Sequence, residues 1–382
     1  MKIVIVGGGI GGMALAAALR RVGFSALVLE QAPALGEVGS GLGVLPSAVR
    51  ALRSIGVADT LFSEAAPLQT MRIANHHGDD LVSLDLASLF QEVGAVGYVM
   101  RRTALHDALA ACVDPASVRP GAKVRAVEQG AHGADVWVDG DDSPLRADLI
   151  VGADGLRSVV RANVLGNNQP RYAGETIFRA ISDLTTAPVS RETFGPGRRF
   201  GYYDIGKGQT YYWATSPQPQ GMVVAPQERQ TRLRRCFAGW PFAVAELIEH
   251  TPADRILQND IFDRPAASRW HQGRLVLLGD AAHPTTPNMG QGACMAIEDA
   301  VVLARVLVEH RDLEKALCAY EKERVSRARL ITVTSRVWGH VGLWSAAPLV
   351  RLRDGFFRIT PDRVFRRTLL QQYSYDPGQL PT

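Results

Sequence analysis

The segment 277–299 combines an acid, a loop interrupted by prolines and a glycine-rich helix start. A short apolar run ends at Asp280, Pro284 and Pro287 break any helix that begins there, and residues 290–293 then open a new helix. The first N–H groups of a helix have no partner within it and attract negative charge. We therefore predict that the Asp280 carboxylate and this helix start face one bound ligand. The alternative is a capping aspartate in front of an ordinary helix.

A second ligand-binding pattern stands at the amino terminus. A short apolar run predicts a strand, Gly7, Gly9 and Gly12 follow it at the start of a predicted helix, and the next predicted strand ends at Glu30. In such a pattern the glycines allow a tight turn, a close approach of a pyrophosphate and close packing of helix on strand, while the acid accepts a hydrogen bond from a ribose. Because strand, turn, helix, strand and acid occur in order, we predict a dinucleotide site rather than a purely structural turn.

Length and composition limit the class of protein. The 382 residues are enough for about two domains, and 46% hydrophobic with 21% charged residues excludes extended disorder. Arginines make up 37 of the 42 basic residues, but they are dispersed and the formal net charge is only +4, which argues against a nucleic-acid partner. The four cysteines and nine histidines lack metal-ligand spacing, and no apolar run approaches the roughly 20 residues that span a bilayer. We predict a cytoplasmic protein with no metal and no transmembrane segment.

The order of patterns along the chain predicts an α/β fold in which one domain interrupts another. A Rossmann-type nucleotide domain is broken by an antiparallel or mixed β-sheet domain that binds the substrate, and helices follow at the carboxyl end. The predicted bounds are 1–70, 99–168 and 270–335 for the nucleotide domain, 71–98 and 169–269 for the β-sheet domain, and 336–382 for the C-terminal helical segment.

Two hairpins are predicted from turn residues between β-rich runs. Runs 136–138 and 149–151 bracket an Asp-Gly-Asp-Asp sequence, and runs 199–205 and 210–215 bracket Gly-Lys-Gly-Gln. Each pair is expected to form two neighbouring antiparallel strands.

The second of these hairpins supplies the candidate substrate contacts. Arg199, Gly201 and Tyr203 share one face of the first strand, and Tyr211 and Trp213 share one face of the next. Such an arginine can hold a phenolate or carboxylate, and such aromatic rings can stack on a substrate ring. The alternative is that the aromatic side chains only pack the sheet.

Five motifs together resemble one enzyme family, the single-component FAD-dependent aromatic hydroxylases, or class A flavoprotein monooxygenases. The resemblance covers residues 1 to about 335 and is greatest for the branch of salicylate hydroxylase, zeaxanthin epoxidase and urate hydroxylase. The motifs are Gly7-x-Gly9-x-x-Gly12 with Glu30, Arg102-Thr103-Ala104-Leu105, Asp154-Gly155 followed by Ser158 and Arg161, Gly279-Asp280-Ala281-Ala282-His283, and Tyr320-Glu321-x-x-Arg324.

This resemblance implies a cofactor and a reaction. FAD is reduced by NAD(P)H, adds O2 at flavin C4a, and the resulting hydroperoxide hydroxylates or epoxidises a small aromatic or other electron-rich substrate in a monomeric or homodimeric enzyme. Asp280 is similar to the acid that binds the ribityl chain, and Asp154 to the residue that serves the FAD pyrophosphate and the nicotinamide cofactor. The residues expected to contact the cofactors are Gly7, Gly9, Gly11, Gly12, Glu30, Gln31, Gly43, Arg102, Val124, Asp154, Asp280, Gly290, Gln291, Gly292 and Ala293.

One departure from the family bears on the substrate. Urate-oxidising relatives carry an acid after the loop proline, whereas Asn288 follows Pro287 here, and an amide cannot act as a general base at neutral pH. Together with Arg199 and Tyr211, these two residues are the candidates for substrate positioning, and a phenol, quinolone, polyketide or alkene fits better than urate.

Alternatives remain for the activity and for the C-terminal segment. The same fold can serve a flavin-dependent oxidase or reductase without oxygen transfer, or a dinucleotide-binding protein without turnover. Beyond residue 335 a partly amphipathic apolar stretch with nearby arginines either packs on its own domain, covers the active site, forms a dimer contact or lies on a membrane surface.

Overall fold

The computed structural model describes residues 1–36, 40–130 and 133–381, so the last residue of the predicted C-terminal segment lies outside it. The strands are β1 (Ile3–Val6), β2 (Ala26–Leu29), β3 (Gly41–Val44), β4 (Ala66–Pro67), β5 (Thr70–Asn75), β6 (Asp80–Asp85), β7 (Tyr98–Arg101), β8 (Val118–Arg119), β9 (Val124–Gly130), β10 (Gly133–Val138), β11 (Leu145–Ala147), β12 (Leu149–Gly152), β13 (Arg171–Ser182), β14 (Val189–Gly195), β15 (Arg198–Gly206), β16 (Gln209–Pro217), β17 (Leu257–Asp263), β18 (His271–Gln272) and β19 (Leu275–Leu277). The α-helices are α1 (Ile10–Arg21), α2 (Pro46–Ile55), α3 (Thr60–Ser63), α4 (Leu86–Val93), α5 (Arg102–Ala110), α6 (Val159–Leu165), α7 (Arg229–Cys236), α8 (Val244–Glu249), α9 (Gly292–Glu309), α10 (Leu313–Gly342), α11 (Ala347–Ile359) and α12 (Asp362–Tyr373).

A largely parallel sheet forms the base of the predicted nucleotide domain. Its order is β18-β19-β12-β1-β2-β8, and only the edge strand β18 runs antiparallel. Strands β1 and β12 are apolar and buried along their whole length, which is typical of parallel strands covered on both faces. Helices α1 and α9 pack against each other, because Gly11 of α1 leaves room for Ala296 of α9.

The second large sheet has seven strands in the order β17-β13-β16-β15-β14-β5-β6. All its pairs are antiparallel except β14 with β5. The prediction of a Rossmann-type fold with a mixed β-sheet domain and C-terminal helices is therefore confirmed. The predicted hairpin of residues 199–205 and 210–215 is also present, as β15 and β16.

The other predicted hairpin is wrong in its second strand. Strand β10 turns back to pair with β11, whereas residues 149–151 belong to β12 and pair in parallel with β1. The apolar run of β12 is buried on both faces, as a strand in the centre of the parallel sheet requires. The short strand β11 is the second strand of this hairpin instead.

The C-terminal part is helical, and its first helix continues the nucleotide domain. Helix α10 spans residues 313–342 without interruption, so the predicted domain boundary after residue 335 falls inside it. No helix in the described ranges is both long and apolar enough to cross a membrane.

Candidate active site

The glycine-rich loop joins the end of β1 to α1 and has the shape predicted for it. Gly7 has φ +106, and a Cβ there would collide with the carbonyl of Ala153 at the end of β12, so only glycine permits this approach. In contrast, no neighbouring atom of the described residues lies within 4 Å of the place that a Cβ on Gly9 would occupy. The loop therefore has a packed inner side and an open outer side, as a phosphate-binding turn needs.

Two acids lie beside this loop, and both already accept backbone hydrogen bonds. The Glu30 carboxylate accepts from the N–H groups of Gly8 at 2.7 Å and Ala32 at 2.8 Å. Asp154 Oδ2 accepts from the N–H of Val159 at 2.7 Å and so caps α6. Asp154 Oδ1 is buried and has no partner among the described residues, and burial raises the pKa of this carboxyl. A buried acceptor without a donor is costly, so Oδ1 fits a hydroxyl or N–H group of a bound cofactor.

Asp280 lies in a cleft rather than at the outer surface. Its side chain is accessible to solvent, yet the surrounding protein raises the pKa of its carboxyl, while the charges of His283 and Arg102 oppose that rise. We attribute this combination to a carboxylate in a deep, open crevice. A Cβ on Gly292, the first residue of α9, would lie 4.0 Å from Asp280 Oδ1. The acid and the helix start therefore lie close together, and that both face one bound ligand stays a prediction.

The remaining predicted cofactor residues lie on several different elements. Arg102 is the first residue of α5. Burial raises the pKa of Tyr211, and the charge of Arg102 partly opposes that rise. Gly290, with φ +61, ends a short 3-10 turn before α9. The others are Gln31, exposed after β2; Gly43, in β3, whose carbonyl contacts the thiol of Cys294; Val124, at the start of β9; Gln291, buried before α9; and Ala293, half-buried in its first turn. Contact of each with a cofactor stays a prediction.

A buried network of charged residues holds the loop from Gly279 to His283 in place. The sequence patterns did not assign this network. Asp299 Oδ2 accepts from the N–H of Gly279 at 3.0 Å and lies 2.6 Å from His283 Nε2. Arg324 Nε donates to Asp299 Oδ1 at 2.7 Å, and Arg161 donates to two carbonyls of the loop, those of residues 281 and 282. The family motifs named Arg161 and Arg324, but only the fold places both against the loop.

An aromatic shelf covers one face of the seven-stranded sheet. Tyr203 pairs with Tyr211, and Gly201 pairs with Trp213, so the predicted residues share one face. The ring centroids of Tyr203, Tyr211 and Trp213 are 5.3 to 6.0 Å apart. Trp213 lies directly on Gly201, and Tyr211 touches Gly41 of β3. The shelf therefore adjoins the part of the molecule that carries the cofactor loops.

Arg199 lies on the same sheet face, but it is occupied by partners within the chain. Its Nη2 donates to Glu175 at 3.1 Å and to Asn288 Oδ1 at 2.6 Å, and its Nη1 donates to Glu192 at 3.2 Å. Arg199 and Glu175 are both 1% exposed. Burial raises the pKa of Glu192, and the Arg199 charge opposes that rise. Two acids thus surround one guanidinium, and neither acid was predicted, because isolated glutamates in β-rich runs give no local signal.

Asn288 connects this cluster to the loop after Pro287. Its Nδ2 donates to Thr286 Oγ1 and to the carbonyl of Ser335 on α10, both at 2.9 Å. The amide therefore donates at one end and accepts from Arg199 at the other. A carboxylate is disfavoured here, because it would face the Ser335 carbonyl with no hydrogen to donate.

The geometry, with a phosphate-type turn, an acidic cleft and a helix start in one region, agrees with the comparison to known proteins. A family model described as an FAD binding domain matches residues 1–335. The chain belongs to this FAD-binding family. It is 42% identical to the aurachin C monooxygenase/isomerase of Stigmatella aurantiaca, over 96% of this chain and 97% of that protein.

Two further relatives extend the comparison. The 2-heptyl-3-hydroxy-4(1H)-quinolone synthase of Pseudomonas aeruginosa is 32% identical over 100% of this chain and 99% of its own. A crystal structure of Klebsiella pneumoniae HpxO complexed with FAD and uric acid superimposes with a TM-score of 0.92 at 29% identity, covering 99% of this chain and 98% of that one. The chain is thus an FAD-dependent monooxygenase of the class A type, and the prediction of this enzyme class is confirmed.

Proposed function

We propose that this enzyme uses NAD(P)H and O2 to hydroxylate a neutral heteroaromatic ring of the 4-quinolone type. A relative named as a 2-heptyl-3-hydroxy-4(1H)-quinolone synthase supports a substrate of the quinolone class, and the relative named as an aurachin C monooxygenase/isomerase supports the monooxygenase reaction. FAD supplies the oxygen-transfer chemistry when it is bound. The residues of this chain bind the flavin, orient the substrate and exclude water.

The observation that carries the proposal is that the Arg199 guanidinium already donates to partners within the chain. An anionic substrate such as a carboxylate or urate anion needs a cation with free donors. Here Glu175, Glu192 and Asn288 surround the guanidinium, and two acids against one arginine leave the cluster without spare positive charge. A buried anion beside it would meet repulsion, whereas a neutral ring would not.

The aromatic shelf fits a neutral, planar ring. Tyr203, Tyr211 and Trp213 offer three ring systems on one sheet face, and aromatic stacking does not require charge on the substrate. Burial raises the pKa of Tyr211 and raises that of Tyr203 well above its usual range. Both phenols therefore stay protonated at neutral pH and can donate a hydrogen bond to a ring carbonyl.

The residues that hold FAD in this proposal come from three elements. The turn of Gly7 and Gly9 would take the diphosphate, and the orphaned Asp154 Oδ1 would accept from a hydroxyl or N–H group of the cofactor. Asp280 would accept from the ribityl hydroxyls, and the start of α9 would stabilise negative charge on the reduced ring. Buried aromatic side chains of the shelf, such as Tyr211, would help to keep water from the reacting atoms.

The test compares substrate classes on the FAD-loaded enzyme. We expect 2-alkyl-4-quinolones to stimulate NAD(P)H oxidation and to yield a product heavier by one oxygen atom, with 18O entering from 18O2. Stimulation by salicylate or urate instead would contradict the neutral-ring proposal. NAD(P)H oxidation that gives only hydrogen peroxide with every aromatic compound would favour the oxidase alternative.

A further inference from the structure

We propose that the exposed side of α11 and α12 docks on an anionic lipid bilayer. This α11 surface consists of Leu349, Leu352, Phe356 and Ile359 on α11 together with Val364 on α12. Their side chains are 41%, 62%, 58%, 78% and 49% exposed. Isolated exposed apolar residues are ordinary, but five large ones within residues 349–364 are a mark of an interaction surface.

The spacing of the four residues on α11 makes them one stripe. The four on α11 follow one another at intervals of three, four and three residues, which places them on one side of the helix. A different side of α11 already packs on the protein, through the buried residues Val350, Arg353 and Phe357. The ring of Phe357 lies 5.6 Å from Phe194 and 5.4 Å from Trp338. The fold therefore satisfies the inner side, and the stripe has no packing role in the described part of the chain.

Positive charge accompanies the stripe. Residues 347–373 contain six arginines and two aspartates, a formal charge of +4, which equals the net charge of the whole chain. Arg363 and Arg367 lie one turn apart on the exposed side of α12, next to Val364. Neither of them, nor Arg351, forms an ion pair with an acid of the described residues.

Three acids near this surface are already paired with its arginines. Arg358 lies 3.3 Å from Asp79, and Arg366 lies 2.7 Å from Glu92. Asp354 is occupied by Arg353, which leaves Asp362 at the start of α12. The surface as a whole therefore keeps its positive character.

This charge decides between a bilayer and a second copy of the chain. A symmetric dimer through the α11 surface would bring two arginine-rich faces together, and like charges at short distance repel. An anionic bilayer offers both complements at once, since it accepts the apolar side chains and attracts the arginines. An apolar stripe with positive charge beside it is typical of helices that lie in the plane of the membrane–water interface.

Vesicle co-sedimentation of the FAD-loaded protein tests the proposal. We expect binding to vesicles of phosphatidylglycerol and phosphatidylcholine at low salt, little binding to phosphatidylcholine alone, and release at 0.5 M NaCl (about a 4 Å screening length). The double variant Arg363→Gln/Arg367→Gln should bind about fivefold more weakly for each arginine replaced. Phe356→Ser/Ile359→Ser should weaken binding by about tenfold or more.

Matched variants elsewhere on the surface control for general effects. Val223→Ser changes a residue that is 78% exposed, as Ile359 is, and Arg234→Gln/Arg235→Gln removes two exposed charges from α7. Both should bind vesicles as the native chain does. Equal binding to neutral and anionic vesicles, or no binding to either, would overturn the proposal. A concentration-dependent dimer that Ile359→Ser abolishes in sedimentation velocity would overturn it in favour of a second copy.

Discussion

At the scale of single residues, Asp280 is the side chain whose surroundings depend most on a ligand. It lies in a cleft where the protein raises the pKa of its carboxyl, and it faces the start of α9. A carboxylate in that place binds hydroxyl groups strongly, because hydrogen bonds to a charged acceptor contribute about 1.5–3 kcal/mol.

We therefore expect Asp280→Ala to lower the affinity for FAD by about 10- to 100-fold, which follows from losing that contribution. Flavin content after purification and fluorescence titration of the apoprotein measure the loss. Asp254→Ala, which removes an exposed acid, should leave the affinity unchanged. Full flavin occupancy in the Asp280 variant would count against the assigned role.

Asn288 shows how one atom can exclude a family's usual residue. We expect Asn288→Asp to lower the free energy of unfolding by about 1–3 kcal/mol, because the carboxylate would face the Ser335 carbonyl and two acids already surround Arg199. Urea denaturation measures the change. Asn259→Asp is the control, since Asn259 accepts from Arg179 in an exposed place where a carboxylate is favourable. Equal stability of both variants would show that the Ser335 bond matters little.

At the scale of elements, the C-terminal helix α12 contacts the residue that precedes α9. Gln291, the residue before α9, is buried, and its Nε2 donates to Oε1 of Gln372 on α12 at 2.5 Å. The helix start that faces the cofactor cleft is therefore tied to a part of the chain beyond the family match at residue 335.

We expect Gln372→Ala to leave the Gln291 amide buried without its partner, at a cost of about 1–3 kcal/mol, and to weaken FAD binding severalfold. Thermal unfolding and FAD titration together measure both effects. The neighbouring Gln371 is exposed, so Gln371→Ala should change neither quantity. If the Gln372 variant binds FAD as tightly as the native protein, α12 does not support the loop.

The elements also show what a sequence can predict. The glycine turn, α1 and the β15–β16 hairpin each depend on residues close together in the chain, so the local residue pattern is sufficient to predict them. The parallel pairing of β12 with β1 joins residues nearly 150 positions apart, and the local turn pattern pointed to a hairpin instead. Glu175 and Glu192 reach Arg199 from two other strands. Their role depends on strand order, which no local pattern contains.

At the scale of the whole molecule, buried charged residues link the loop from Gly279 to His283 to helices α9 and α10. Arg324 on α10 binds Asp299 and Glu298 on α9, at 2.7 and 2.8 Å, and all three are fully buried. Asp299 in turn holds Gly279 and His283 of the loop. Removing one partner of such a buried network leaves an uncompensated charge and destabilises strongly, by about 3–5 kcal/mol.

This network predicts a defined response to acid. Burial alone would raise the pKa of Asp299, but the charges of His283 and Arg324 outweigh it and bring the pKa to about 2, below the roughly 3.9 of an unfolded aspartate. The folded state therefore binds the proton less readily. The resulting stability, about 2.6 kcal/mol, is complete above about pH 5 and is lost as the pH falls toward 2.

We therefore expect Asp299→Asn to lower the free energy of unfolding by about 3–5 kcal/mol at pH 7, and the gap to the native protein to narrow as the pH falls from 5 toward 3. The gap narrows because the aspartate of the unfolded native chain takes up a proton in this pH range while the folded Asp299 stays ionised, which favours unfolding of the native chain, whereas the amide does not titrate. Urea denaturation of the FAD-loaded proteins at each pH measures both values, with Asp254→Asn as the exposed control. A gap that stays constant from pH 7 to pH 3 would mean that the ionised state of Asp299 does not hold the loop, and that hydrogen bonding alone does.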